Sequence, residues 1–95
     1  LKFASGIFDV IFACHSLEHA YDVDVVLREF ARVTPPGGVW AIEVPVRYET
    51  TEVDRHDFTS AEGLLLTCAP YWKQVLYEEE THSGQSDVAR VVVQV

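Results

Sequence analysis

The first apolar block, residues 8–14 (FDVIFAC), is an almost continuous run of strand-forming side chains. Such a run suits a strand covered on both faces, as helices cover a parallel sheet, and it predicts the first strand. Over residues 22–33 the period changes. Val23, Val26, Leu27, Phe30 and Val33 fall at spacings of three, one, three and three, which gathers them on one helical face. Asp22 is placed to cap this helix, and Asp24 favours the positive end of its dipole. The pattern stops at Thr34-Pro35-Pro36-Gly37-Gly38, because proline cannot continue a helix and glycine permits a tight reversal. Residues 39–44 (VWAIEV) predict a second strand, so the first half reads strand, helix, strand, with a connection long enough for a parallel crossover.

Residues 45–58 (PVRYETTEVDRHDF) are polar and lack sustained periodicity. They leave the carboxyl end of the second strand, where loops of α/β proteins commonly carry function. Thr59-Ser60-Ala61-Glu62 has the form of a capping box with Thr59 as the cap, opening a short helix to about Ala69 that Pro70 ends. Residues 72–77 and 88–95 predict two final strands paired antiparallel. Between them, residues 78–87 read as a long exposed connection in which Glu78, Glu79 and Glu80 form a solubilising turn and guard the sheet edge. Val26, Leu27, Phe30 and Trp40 are the expected core, with Trp72 and Tyr77 packing on the hairpin.

Composition narrows the function classes. With 95 residues, 48% hydrophobic and 23% charged, the chain is an ordinary globular sequence of at most one small domain. It contains no methionine, so it does not read as a complete unprocessed translation product, and a piece of something longer is expected. A net charge of -8 opposes binding to nucleic acid or anionic membrane, since phosphate neutralisation needs a basic patch. The apolar runs fall far short of the roughly 20 residues a membrane helix needs, and no leader pattern is present, so a soluble, cytoplasmic protein is expected. Cys14 and Cys68 lack CxxC spacing and read as buried thiols, neither bridged nor zinc-bound.

The order of elements and the residues joining them resemble the carboxyl-terminal half of a class I S-adenosylmethionine-dependent methyltransferase. Phe8-Asp9-Val10-Ile11 resembles the start of that family's fourth strand, and His15-Ser16-Leu17-Glu18-His19 the segment after it. Leu27-Arg28-Glu29 and Ala31-Arg32-Val33 resemble the following helix, Pro36-Gly37-Gly38 the turn into the fifth strand, and Asp57-Phe58-Thr59 the approach to the next helix. The resemblance implies an α/β fold, a partial Rossmann-like sheet holding family strands 4-5-7-6, with parallel strands followed by an antiparallel hairpin and two helices. It also implies that residues 1–95 are a single partial domain starting just after the family's third strand, near Leu1-Lys2-Phe3. The glycine-rich turn and the acidic residue that hold the cofactor in the family are not in the sequence. Binding of S-adenosylmethionine by this chain is therefore expected to be weak or absent, and the chain inactive by itself.

Within that resemblance, Cys14, His15 and Ser16 face the methyl-donor crevice as cofactor-binding residues, and His15 is the candidate general base, since imidazole titrates near neutrality. His19, Tyr48, Arg55 and His56 are candidates for binding a small-molecule acceptor. Glu18 and His19 match positions that hold a divalent ion in some relatives, while a plain structural role, capping or bracing the following helix, is the favoured reading of them. Residues 15–19 also fit H-x-x-E-H, the inverted zinc-protease signature, but the large scaffold and distant third ligand of such enzymes are missing, so no metal is assigned. Glu43, inside an apolar strand, needs either a partner or access to water. The competing reading is a non-catalytic interaction module. In either case the strand of residues 8–14, from Phe8 to Cys14, would lie open at a sheet edge, and homo-oligomerisation through it is expected.

Overall fold

The computed structural model describes residues 5–51, 56–82 and 86–95. Its elements follow in the order β1 (Val10–Cys14), a single 3-10 turn (Leu17–His19), α1 (Val23–Val33), β2 (Val39–Val46), α2 (Ala61–Cys68), β3 (Gln74–His82) and β4 (Asp87–Gln94). The strands form one sheet in the order β1-β2-β4-β3, with β1 parallel to β2 and the remaining pairs antiparallel. This is the expected α/β architecture, and the order is the one that the resemblance implies for strands 4-5-7-6. The segment near Leu1-Lys2-Phe3 lies outside the described residues.

Alternation along β2 sets the layers. Trp40, Ile42, Val44 and Val46 are buried, while the residues between them point to the other face. In β4, Ala89, Val91 and Val93 repeat the pattern, and both rows join Leu27 of α1 and Leu64, Leu65 and Cys68 of α2 in one core. Both helices therefore cover the same face. Among the described residues no helix covers the opposite face, where Val10 and Phe12 of β1 are 61% and 73% exposed. The double coverage predicted for residues 8–14 is thus corrected: β1 has one strand neighbour and buries only Ala13, and Cys14 is exposed instead of buried. The strand also starts later than expected, because Phe8 donates its N–H to the Val33 carbonyl at the end of α1.

α1 has the predicted face. Leu27 and Val33 are buried, Val23, Val26 and Phe30 pack against the core, and Asp22 Oδ1 caps the helix by accepting from the N–H groups of Asp24 and Val25. At its end Thr34 Oγ1 donates to the Phe30 carbonyl at 2.6 Å and accepts from the Trp40 indole at 3.0 Å, which satisfies a buried hydroxyl and a buried indole together. The turn into β2 uses Gly37 at φ 89°, a conformation costly for any residue with a Cβ. Pro45 is tolerated in β2 because β1 ends opposite Glu43 and leaves the last part of β2 paired on one side only.

Two boundaries differ from the sequence pattern. Ser60, not Thr59, caps α2, its Oγ accepting from Gly63 N–H at 2.9 Å. Thr59 is held instead at φ 75°, its N–H bonded to Asp57 Oδ1, and the first amide of the helix, Ala61 N–H, is satisfied from outside it by Glu80. The connection predicted over residues 78–87 is shorter, because Glu78 to His82 continue β3 against Asp87 to Val91 of β4. The three glutamates are thus strand residues on an edge strand, where their charges still discourage further pairing.

Gly63 offers a check on this packing. Alanine is favoured over glycine in a helix by about 1 kcal/mol, yet a Cβ at Gly63 would lie 2.0 Å from the Phe58 carbonyl oxygen and 3.2 Å from its carbon. Backbone cannot yield as a side-chain tip can, so Gly63→Ala is expected to destabilise the fold by about 1–3 kcal/mol. Urea unfolding measures this, and a midpoint at or above that of the parent chain would contradict the close approach.

Candidate functional site

The carboxyl ends of β1 and β2 bring three chemically distinct side chains together. Register places Cys14 beside Glu43, and the His15 N–H donates to the Glu43 carbonyl at 2.8 Å. At His15 the backbone turns to φ 52°, which ends the strand and breaks the alternation of side chains. The result converges on one atom: Glu43 Oε2 accepts from Cys14 Sγ at 3.1 Å and from His15 Nε2 at 2.8 Å. Its other oxygen, Oε1, pairs with Arg90 of β4, which in turn reaches Glu79 of β3 at 2.9 Å. These hydrogen bonds, first the thiol's and then Arg90's and His15's, hold the Glu43 carboxyl below its ordinary value despite partial desolvation. The same carboxylate, through that hydrogen bond, raises the Cys14 thiol. Cys68, by contrast, is buried and pushed up to about 12 by desolvation alone, which leaves it inert.

A second network ties down the loop after β2. Arg47, at φ 57°, donates its N–H to Asp57 Oδ1 at 2.8 Å, Nε to Asp87 Oδ2 at 2.8 Å and Nη1 to the Thr59 carbonyl at 2.7 Å. Its guanidinium also lies 3.5 Å from Glu80 and 3.1 Å from the His82 ring. Asp57 accepts in addition from Tyr48 and Thr59 N–H. His56 crosses to the turn after β1, its N–H donating to the Glu18 carbonyl and its ring to the Ala20 carbonyl at 2.6 Å. Beside this crossing lies a cleft of about 680 Å³ lined by Tyr21, Asp22, Asp24, His56, Asp57 and Phe58, among others.

With this geometry in view, the comparisons with known proteins concern both the segment and the whole fold. Residues 1–42 match the family model of a methyltransferase domain. That segment contains β1, Cys14, His15 and α1. The crystal structure of the cyclase SpnF superposes with a TM-score of 0.79 at 17% identity, covering 99% of this chain and 52% of that one. The crystal structure of the PH0226 protein from Pyrococcus horikoshii OT3 gives a TM-score of 0.69 at 14% identity, covering 99% and 54%. The chain therefore spans about half the length of these two structures, and at such identities the likeness concerns the fold. No curated protein matches the chain. The fold is methyltransferase-like.

In that methyltransferase-like frame the residues singled out from sequence separate into three places. Cys14 and His15 belong to the strand-end cluster. Ser16 and His19 line a mostly apolar hollow with Leu17, Val26 and Phe30. His56 borders the cleft, whereas the Tyr48 hydroxyl donates to the His56 carbonyl and so fixes the loop. Arg55 lies outside the described residues. Glu18 is 2% exposed, with Oε1 lacking a hydrogen-bond partner among the described residues and Oε2 3.7 Å from His19. Sequence reasoning left Glu43 and Arg90 out of the site, although a charged residue inside each of two apolar strands was the available signal. No helix is long and apolar enough to cross a membrane among the described residues.

The Arg47 network makes acid stability testable. The hydrogen bond from Ala61 N–H, and then Arg47, holds the Glu80 carboxyl below its ordinary 4.5, and Arg47, with help from His82, holds Asp87 below 3.8. Because the unfolded chain then binds more protons, this stabilisation is present above the ordinary values and is lost as pH falls through the lowered ones. The melting temperature is expected to fall between about pH 5 and pH 3. Arg47→Ala, which removes the guanidinium beside Glu80, His82 and Asp87, should melt lower at pH 6 and show a shallower acid decline. Calorimetric melting of both proteins across this range is the check, and parallel declines would refute the assignment.

Proposed function

We propose that residues 1–95 form a single partial domain, the carboxyl-terminal half of an S-adenosylmethionine-dependent methyltransferase acting on a small-molecule acceptor, and that the chain is inactive on its own. The observation that carries this reading is the methyltransferase-domain match over residues 1–42, which includes the β1 end where the cluster sits. Cys14, His15 and Ser16 leave β1 on an exposed turn at the carboxyl end of the parallel strands, a position that fits one wall of a donor crevice. The turn that would hold the adenosyl part is not in the sequence. The bound cofactor supplies an electrophilic methyl group.

What this chain adds is control of a proton. An ionised Glu43 carboxylate can only accept, so His15 carries its proton on Nε2 and presents Nδ1 as the basic atom. His15 is half exposed, which leaves that atom open to an acceptor hydroxyl or amine. Glu43 acts as a positioning residue through His15, as carboxylates orient imidazole in other general-base pairs. His19 and His56 stand beside this region as acceptor-binding candidates, with Tyr48 holding the loop that carries His56.

Two measurements test the reading. Calorimetry on the isolated chain should show no binding of S-adenosylmethionine at micromolar concentrations, and micromolar binding would overturn the half-site assignment. In the longer protein, His15→Ala should lower kcat by about 10²–10⁴-fold. Unchanged kcat would remove His15 from the mechanism.

A second reading is favoured by the exposed β1 edge and by the apolar Val10 and Phe12 beside it. In this reading the chain is an interaction module that pairs β1 with a second copy, most simply as an antiparallel two-fold dimer. Light scattering at high micromolar concentration should then give twice the chain mass. A stable monomer would exclude it.

A further inference from the structure

We propose that Cys14 Sγ, His15 Nε2 and Glu43 Oε2 form a binding site for a thiophilic divalent cation of the Zn²⁺ class. In an extended strand, successive side chains point to opposite faces, so Cys14 and His15 would ordinarily not share a site. The positive φ at His15 removes that restriction and brings both to the same carboxylate oxygen. The candidate ligand atoms all lie within 4.8 Å of one another. Around a tetrahedral Zn²⁺, with bonds of about 2.0–2.3 Å, ligand atoms stand roughly 3.3–3.6 Å apart. The present separations of 3.1 Å between Sγ and Oε2 and 2.8 Å between Nε2 and Oε2 need to open only by well under an ångström.

The chemistry of the donors selects the ion. A thiolate and an imidazole suit Zn²⁺ and other borderline or soft ions, and disfavour Mg²⁺ and Ca²⁺, which take oxygen ligands. Arg90 occupies Oε1 of Glu43 and leaves Oε2 for the cation. A further carboxylate, the buried Glu18, has an oxygen without a hydrogen-bond partner among the described residues and adds a negative field at Cys14 that partly offsets the larger positive field of Arg90. In the metal-free cluster, hydrogens of the thiol and of the imidazole both converge on Oε2. The cation takes their place: the Cys14 thiol releases its proton to solvent as the metal–sulfur bond forms, and the imidazole proton moves from Nε2 to Nδ1. Three protein ligands leave a fourth position for water. One consequence rests on the base role proposed above: with its proton on Nδ1, His15 no longer accepts one, so the cation would inhibit methyl transfer.

Titration of the purified chain with Zn²⁺ against a chromophoric chelator should show one equivalent bound. Binding should weaken at least about tenfold in Cys14→Ser and in His15→Ala. It should remain unchanged in His82→Ala, which removes a histidine lying beside two other carboxylates, Glu80 and Asp87. Mg²⁺ should not compete. Both substituted positions are exposed, and Co²⁺ gives a readout on the parent chain itself: a thiolate-to-cobalt charge-transfer band that Cys14→Ser abolishes. Absence of stoichiometric binding, an affinity in either Cys14→Ser or His15→Ala equal to that of the parent chain, or a band that survives Cys14→Ser would overturn the site. The readout is metal binding, so the outcome stands apart from whether the longer protein transfers methyl groups.

Discussion

The pairing of β2 with β1 on one side and β4 on the other aligns Cys14 with Glu43, Glu43 with Arg90, and Arg90 with Glu79 of β3. One polar row thus crosses all four strands on the open face of the sheet. What holds it there is the row behind it. Trp40, Ile42, Val44 and Val46 must all face the helices, and a slip of one residue would turn them to solvent and drive Glu43 inward. Burying that carboxylate without its partners would cost several kcal/mol, so core packing and placement of the polar row enforce the same register. The site's geometry is in this sense a consequence of how the core packs.

Much of the fold was legible because its signals are periodic and local. The spacing of Val23, Val26, Leu27, Phe30 and Val33 admits only a helix, and the alternation in VWAIEV, flanked by a Pro-Pro-Gly-Gly turn, admits only a strand entered from a reversal. The errors arose where long-range partners outbid local pattern. Thr59-Ser60-Ala61-Glu62 suggests a capping box one residue too early, because Asp57 captures the Thr59 N–H and Glu80, nineteen residues away along the chain, serves the first amide of α2. Glu78, Glu79 and Glu80 read as a turn by composition, yet Glu79 pairs with Arg90 and Glu80 with Arg47, which gives each a reason to lie in a strand. Coverage of β1 could not be read from its own residues at all, since it depends on where both helices pack.

The site was legible by halves. Cys14 and His15 stand out because chemistry-bearing residues follow directly on an apolar strand. Their partner does not, because nothing in the local sequence says that Glu43, twenty-eight residues beyond His15, arrives at the same strand end. Only parallel pairing with matched register brings them together, which is a property of topology and not of spacing. The φ of 52° at His15 is equally invisible in sequence, since histidine is not a residue that demands it; the Glu43 hydrogen bonds to its backbone and ring hold it there.

Exposure of β1 and chemistry at its carboxyl end are coupled. Val10, Phe12 and Cys14 share one face of the same edge strand, so whatever pairs along that edge also comes close to the Cys14, His15 and Glu43 cluster. A strand laid there would exclude water and lower the effective dielectric around the Glu43 and Arg90 charges, strengthening their attraction and the hydrogen bonds that fix His15. The cluster would then change from a solvent-screened set of contacts into a rigid one, with His15 Nδ1 or a bound cation held in a defined direction. Among the described residues no strand pairs along that edge and His15 remains 45% exposed, so the same residues form the network without that enclosure. On this physical ground, completion of the sheet edge would also organise the site.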